Sequence, residues 1–306
     1  MVRGRVLLTG DGWFERYSQS GIRPATIKRR KDSRGHLHDF LDLRIDQLTP
    51  ALIEDTLVPL AGKHPRTAKV VFETLQMILR SAKLRGQKVN PQVLEMDAPT
   101  KYVPGTKRFL SRKEVDAYAE KSDDPHLILL LSLTGLRLGE ALALQDGDIR
   151  GGSVHVNHSL SREGVREALK TSQSRRIVPL PKEASRLISA AKLKRPAAGA
   201  PWLFPAPRGG PWRSRSNFYK RWNAKTPDLN PHTLRHTYAS FMIAAGVHPK
   251  ALQELMGHKS IAVTMDTYGH LFEGAKRESV DRLEKWMEEE AKRDAGEGAG
   301  AVGEGG

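Results

Sequence analysis

The feature that most restricts the fold of this chain is a short break between two regions of different pattern. Residues 98–108 read APTKYVPGTKR, whose prolines, glycine and three cations are typical of an extended linker. Before it, from Thr67 to Leu84, apolar residues recur at helical spacing. We therefore predict a helical domain over residues 1–97, a linker over residues 98–108 and a second domain beyond. The apolar stripe consists of Val70, Val71, Leu75, Ile78 and Leu79.

Other segments of the first domain fit the same helical pattern. Residues 12–20 carry Trp13, Phe14 and Tyr17, which we expect to be core residues, and residues 24–41 supply a basic helical segment. The Asn90-Pro91 pair is expected to close the helical region.

The second domain, predicted over residues 109–290, mixes helices with a few strands. Ser111 and Glu114 have the spacing of a capping box, and His126 to Leu133 reads as an apolar core helix. SVHVNHSL, after Gly151-Gly152, and RRIVPL, from Arg175, each read as a strand, and helices resume at Ser214. The fold class is therefore mainly α, with an α+β second domain that contains a small antiparallel sheet. Residues 291–306 are predicted to be a flexible tail.

The composition excludes several kinds of chemistry. Because the chain has no cysteine, disulfides, thiolate nucleophiles and cysteine-ligated zinc are impossible. No apolar run approaches the length of a membrane span, and the N-terminus lacks a secretion signal. We expect a soluble, cytoplasmic protein with no membrane partner.

The charge indicates a polyanionic partner. Lys and Arg number 50 against 35 acidic residues, which gives a formal charge of +15. From Glu273 to the end there are ten acidic and six basic residues, so that residues 1–272 carry +19. Cations that bind phosphates release condensed counterions, which makes nucleic acid the leading candidate. Charge alone does not define a function, since ribosomal and chromatin proteins share it.

Five motifs in the second domain carry the chemistry. TGLRLGEALAL contains Arg137, and Lys170 precedes the RRIVPL strand. NPHTLRHTYAS contains His232 and Arg235, LMGHKS contains His258, and MDTYGH contains Tyr268. In these residue types and their order, the region from Phe109 to Phe272 resembles the tyrosine recombinases of the phage integrase family. Over residues 12–97 the resemblance is limited to the helical pattern of the family's core-binding domain.

The two arginines suit the metal-free cleavage of a phosphodiester that the resemblance implies. Bidentate guanidiniums neutralise phosphoryl oxygens better than ammonium groups do. Asn230 can cap a helix and Pro231 can occupy its first turn. His232 and Arg235, three residues apart, would then project from one face near the positive helix end.

The resemblance also implies the remaining roles. Lys170 would protonate the leaving 5′ oxygen, His232 would act as the base, and His258 would donate a hydrogen bond to the phosphate. Tyr268 would be the nucleophile, forming a 3′-phosphotyrosyl bond whose energy allows religation without ATP, metal or another cofactor. Glu140 resembles the acidic residue that supports the first arginine.

The implied partners are double-stranded DNA attachment sites, with a homotetramer assembled on DNA for strand exchange. Accessory DNA-bending or directionality proteins are further candidates. Because about ten residues precede the first helical segment, we expect no separate arm-binding domain and recognition of short core sites. Predicted DNA contacts are Lys101, Lys107, Arg108, Arg175 and Arg176.

Alternative interpretations start from the same residues. His232 and His236, four apart, could bind a metal in a hydrolase, but no Glu follows the first histidine as it does in zincins. A type IB topoisomerase would also form a 3′-phosphotyrosine, and a catalytically idle DNA-binding relative would keep only the fold. An apolar stripe on the last helix would pack either within the chain or on a neighbouring protomer. It comprises Val280, Leu283, Trp286 and Met287.

Overall fold

The computed structural model describes residues 27, 28, 30, 32, 36, 45–99, 107–169, 174–197, 201–272 and 275–300, with side chains of the last helix from 280 to 292. The chain divides into two compact units, Met1–Gly105 and Thr106–Gly306. The predicted segment 12–20, with Trp13, Phe14 and Tyr17, lies outside the described residues.

The first unit contains helices α1 (Pro50–Lys63), α2 (Pro65–Leu84) and α3 (Pro91–Glu95), after a 3₁₀ turn at Ile45–Gln47. Each α-helix has proline in its first turn, where a missing N–H costs no hydrogen bond. The predicted stripe of α2 is confirmed as core, with only Val70 partly exposed. The prediction that Asn90-Pro91 closes the helical region is wrong, because α2 ends at Leu84 and Asn90 caps the further helix α3, while its side chain also donates to the carbonyl of Leu48.

The second unit begins with three helices: α4 (Arg112–Lys121), α5 (Pro125–Thr134) and α6 (Leu138–Leu142). The predicted capping box at Ser111 and Glu114 is present in full at the start of α4. Helix α5 is the centre of this unit and packs against α4 and two later helices. Four of its apolar side chains are no more than 1% exposed, as the sequence predicts: Leu127, Ile128, Leu130 and Leu131.

Two small antiparallel sheets follow. Strands β1 (Ile149–Arg150), β2 (Ser153–Val156) and β5 (Arg176–Pro179) form one sheet in the order β1-β2-β5. Strands β3 (His158–Leu160) and β4 (Arg166–Ala168) form the other.

The prediction of one strand over SVHVNHSL is wrong, because the chain changes sheets at Asn157. Pairing of β2 with β5 ends at Val156, and β3 then pairs with β4, with the carbonyl of Asn157 accepting from Leu169. Alternation of apolar and polar residues stops at the same place, because Asn157, His158 and Ser159 are consecutive polar residues, so the sequence carried a local signal of the break.

Among the described residues, six α-helices complete the unit, and together with the two sheets they confirm the predicted fold class, mainly α with a small antiparallel β portion. They are α7 (Lys182–Lys194), α8 (Arg215–Lys225), α9 (Pro231–Ala244), α10 (Pro249–Met256), α11 (Ile261–Tyr268) and α12 (Ala275–Gly300), with a 3₁₀ turn at Gly269–Phe272 before α12. Helices α7 and α9 are the two later partners of α5. In the part of the chain that the structure describes, no helix has the length and apolar character needed to cross a bilayer.

Helix α12 extends into residues 291–306, the segment that the sequence predicts to be a flexible tail. Its backbone is helical to Gly300, and residues 301–306 lie outside the described residues. Residues 291–300 hold Ala, Lys, Arg and Glu, which are good helix formers, and no proline, but also three glycines, which are poor ones. The apolar stripe on α12 is 48–57% exposed in the single chain.

Gly135, which ends α5, is required both for its backbone conformation and for its lack of a side chain. Its φ is +61°, and a Cβ would lie 2.3 Å from Cδ1 of the Tyr238 ring. We expect Gly135→Ala to lower the free energy of unfolding by about 2–5 kcal/mol, from left-handed backbone strain plus overpacking.

Urea unfolding of the wild type and the variant measures this loss. Gly147→Ala is the matched control, because Gly147 has no positive φ and no atom within 4 Å of its added Cβ. Equal losses in the two variants would contradict the explanation.

Candidate active site

Three arginines from different elements meet at the C-terminal end of α10. Arg176 Nε donates to the carbonyl of Leu255 at 2.7 Å, and Arg137 Nη2 donates to that of Gly257 at 3.0 Å. Between them, Arg235 Nη2 donates to the carbonyl of Met256. The last carbonyls of a helix lack intrahelical partners and carry partial negative charge, so they hold three guanidiniums that would otherwise repel one another.

Glu140 adds a unit negative charge to the partial charges of these carbonyls. Its side chain is 1% exposed, and its two oxygens accept from Arg137 Nη1 and Arg176 Nη2, each at 2.8 Å. One oxygen also accepts from the backbone N–H of Arg137. Burial alone would raise the pKa of Glu140, but Arg176, and then Arg137 and Arg235, lower it to about 2. The carboxylate is therefore ionised at neutral pH and supports Arg137 as the resemblance implied.

The cluster retains an excess of positive charge. Arg235 is 4% exposed, and burial followed by the charge of Arg137 lowers its pKa to about 9, which leaves it charged at neutral pH. Three guanidiniums face one carboxylate, and the Arg137 side chain is 37% exposed. The arrangement can therefore bind an anion that approaches from the side of Arg137.

Two histidines and Arg235 project from the first turns of α9. The Asn230 side chain accepts from the backbone N–H of His232 at 2.9 Å and Pro231 occupies the first turn, so both predictions for this helix start are confirmed. His232 is exposed, and the ring centroids of His232 and His236 lie 6.4 Å apart.

His258 follows Gly257, the left-handed residue that ends α10 with a φ of 62°. Its Nδ1 is 2.9 Å from Oγ1 of Thr264. Burial, and then the charges of Arg235 and Arg137, lower its pKa to about 3. The ring is therefore neutral at neutral pH, with Nε2 free of the Thr264 contact.

Tyr268, the last residue of α11, is buried among these groups. It is 1% exposed, and its ring lies nearly parallel to that of His258, with centroids 6.4 Å apart. Its hydroxyl oxygen is 2.7 Å from Nδ1 of His236. Burial raises the pKa of Tyr268 to about 12, although the charge of Arg235 opposes that shift.

The structure therefore brings five of the six predicted catalytic residues, and the supporting Glu140, into one region. The sixth, Lys170, lies outside the described residues. The imidazole that contacts the tyrosine hydroxyl is that of His236, whereas the resemblance implies that His232 is the base. The signal for His236 was present, because a residue four positions after His232 shares its helix face.

The predicted DNA contacts differ in their exposure. Lys107, Arg108 and Arg175 are exposed, as a phosphate contact requires, and Lys101 lies outside the described residues. Arg176 contradicts the prediction, because its side chain is 6% exposed and its guanidinium is committed to Glu140 and Leu255. Its role is to assemble the cluster.

A metal pair formed by His232 and His236 is not supported by additional ligands. Among the described residues, no group of three or more His, Asp or Glu side chains is arranged to hold a metal ion. The Nδ1 of His236 is occupied by Tyr268.

The fold is that of the integrases. The Tn1549 transposon integrase in complex with a circular intermediate DNA matches with a TM-score of 0.76 at 19% identity, over 89% of this chain and 98% of that one. A lambda integrase dimer bound to a COC′ core site matches with a TM-score of 0.66 at 19% identity, over 86% of this chain and 77% of that one.

Sequence comparison gives the family. The model of the phage integrase family matches residues 109–274, more than half of the chain, and the chain therefore belongs to that family. It is 31% identical over 206 residues to the transposase from transposon Tn916 of Enterococcus faecalis, covering 60% of this chain and 50% of the relative. It is 24% identical over 280 residues to the tyrosine recombinase XerD of Listeria monocytogenes, covering 83% of this chain and 90% of that protein. The chain spans about half the length of the first of these relatives.

Proposed function

We propose that this protein is a site-specific DNA recombinase that cuts and rejoins DNA through a 3′-phosphotyrosyl bond to Tyr268, in DNA integration and excision. The observation that carries the proposal is the position of Tyr268, beside two imidazoles and within the electrostatic influence of Arg235. An anion-binding cluster beside a tyrosine is the arrangement that attack on a phosphodiester requires.

In this mechanism Arg137 and Arg235 bind the non-bridging oxygens of the scissile phosphate and stabilise the charge that develops as Tyr268 attacks. The free Nε2 of His258 supports a hydrogen bond to the same phosphate. Glu140 and Arg176 touch no reacting atom and act by holding the arginines in place.

Lys170 is proposed to protonate the leaving 5′ oxygen. It belongs to the segment between β4, which ends at Ala168, and β5, which begins at Arg176. A lysine on a connection between strands can extend to a bound duplex and act as general acid. Exposed Lys107, Arg108 and Arg175 would bind flanking phosphates.

The DNA and the assembly are proposed from relatives. One solved neighbour is a lambda integrase tetramer bound to a Holliday junction, with a TM-score of 0.66 at 20% identity. Together with the Tn1549 complex, it supports double-stranded DNA as the substrate and a homotetramer as the assembly that exchanges strands. Accessory DNA-bending or directionality proteins would act on that assembly.

Trapping the covalent intermediate tests this function. The substrates are duplexes selected for binding from a randomised pool, together with candidate attachment sequences. Each is synthesised with a nick next to one candidate cleavage position. Cleavage then releases a short strand with a 5′ hydroxyl, which diffuses away and prevents religation. We expect a covalent adduct in EDTA, in which a 5′ label on the cleaved strand stays with the protein, and peptide mapping places the bond at Tyr268.

The other outcomes separate the alternatives. Adducts on every duplex, together with relaxation of any supercoiled plasmid, would favour a type IB topoisomerase. Tight binding without any adduct would favour a DNA-binding relative without catalysis. Strand cleavage that EDTA abolishes would favour a metal-dependent hydrolase.

A further inference from the structure

The contact between His236 and Tyr268 has no role in the mechanism described so far. The hydroxyl oxygen of Tyr268 lies 2.7 Å from His236 Nδ1, and the two rings meet edge to face with centroids 5.7 Å apart. His232, the base that the resemblance implies, lies one helical turn earlier on α9 and is exposed.

The ionisation of the two groups fixes the direction of this hydrogen bond. Burial, and then the charges of Lys107, His232 and Arg235, lower the pKa of His236 to about 4, so its ring is neutral at neutral pH. The hydroxyl keeps its proton, since burial raises the pKa of Tyr268 to about 12. Tyr268 therefore donates and Nδ1 accepts, which places the imidazole proton of His236 on Nε2.

We propose that His236 is a catalytic residue that positions the Tyr268 hydroxyl and accepts its proton during attack on DNA. The inference rests on the proposed function. The Tyr268 oxygen forms a bond to phosphorus, the bond from phosphorus to the 5′ oxygen breaks, and the tyrosine proton passes to His236 Nδ1. The leaving 5′ oxygen takes a separate proton, from Lys170. Religation reverses both transfers, and His236 returns its proton to Tyr268.

Binding of DNA makes His236 a better proton acceptor than it is in the free protein. The cations that disfavour a charged ring include Lys107 and Arg235. A phosphate bound against these cations neutralises part of their charge and favours the imidazolium. The proton transfer thus becomes easier when the substrate is in place.

Three substitutions at position 236 test the proposal in single-turnover adduct formation. His236→Leu removes the acceptor and is expected to slow adduct formation about 100- to 1,000-fold, in the range of a general base. Asn places its Oδ1 the same number of bonds from Cβ as Nδ1, whereas Gln extends one bond further. We therefore expect His236→Asn to keep the Tyr268 hydroxyl positioned and to form the adduct about tenfold faster than His236→Leu. His236→Gln is expected to form the adduct at a rate close to that of His236→Leu.

A substrate with sulfur in place of the scissile 5′ oxygen separates the two protons. A thiolate leaves without protonation, so the defect of a variant that lacks the general acid should largely disappear. Lys170→Ala is therefore expected to recover on this substrate. His236→Leu is expected to stay slow, because its missing group acts on the nucleophile.

Each outcome decides the proposal. Recovery of His236→Leu on the sulfur substrate, or a wild-type rate on the ordinary one, would overturn it while leaving the proposed function intact. Absence of any wild-type adduct would remove the proposed function and this inference together. DNA affinity and thermal unfolding are measured for each variant. If His236→Leu does not fold, the rates of adduct formation of His236→Asn and His236→Gln are compared instead. Equal rates in these two variants would contradict the proposal.

Discussion

Tyr268→Phe is expected to abolish the covalent adduct while leaving the affinity for DNA within about twofold of the wild type, since one uncharged hydroxyl contributes little to counterion release. The ring remains, so its packing beside His258 and Phe109 should persist. Denaturing electrophoresis on the nicked duplex measures the adduct, and a shift assay on the same duplex measures the affinity.

A second tyrosine variant is the control that makes this result specific. Tyr238→Phe removes the hydroxyl of another buried tyrosine of the same unit, which packs in the same apolar cluster, and should still form the adduct. If Tyr268→Phe cleaves DNA at an undiminished rate, the nucleophile has been assigned to the wrong residue.

Glu140→Gln is expected to lower the free energy of unfolding by about 3–5 kcal/mol, the cost of leaving buried charges without their partner. The amide is similar in shape to the carboxylate but cannot balance Arg137, Arg176 and Arg235. Adduct formation should also fall, because Arg137 loses the group that orients it. Urea unfolding at pH 7 measures the loss of stability.

An exposed ion pair supplies the matched control. Glu183 pairs with Arg112, and both side chains are more than 40% exposed. Glu183→Gln should cost less than about 1 kcal/mol. A similar loss in the free energy of unfolding in both variants would show that the buried cluster around Glu140 contributes no more than an exposed ion pair.

The pH dependence of the Glu140 contribution gives a second check. The pKa of Glu140 is lowered from 4.5 to about 2 on folding, so the stabilisation is complete above pH 4.5. It declines as the pH falls from 4.5 toward 2, because the unfolded chain then binds a proton that the folded chain does not. The difference between wild type and Glu140→Gln should shrink over that interval, and a constant difference would contradict the assigned charge state.

Much of the second unit could be predicted from local sequence rules. Proline in the first turn, the capping box at Ser111 and the glycine after α10 are local signals, and local signals determine where helices begin and end. The order of Arg137, Arg235, His258 and Tyr268 indicated the site, because these residue types meet in the fold although they are far apart in sequence.

The errors arose where tertiary contacts decide between neighbouring residues. Arg175 and Arg176 look equivalent in sequence, yet the first is exposed and the second is buried against Glu140. Arg176 shares its face of β5 with buried Val178, so alternation along the strand distinguishes it from Arg175. The partner of Tyr268 could not be chosen from sequence, since His232 and His236 lie on one helix face and only packing selects between them.

The three arginines all donate to consecutive carbonyls at the end of α10, and this limits how their positions can be altered. Leu255, Met256 and Gly257 act through their backbone, so no substitution of their side chains adjusts one arginine separately. A shift of α10 would displace Arg137, Arg176 and Arg235 together. Efforts to change the proposed DNA target preference should therefore leave this helix end intact and vary exposed cations such as Lys107 and Arg175.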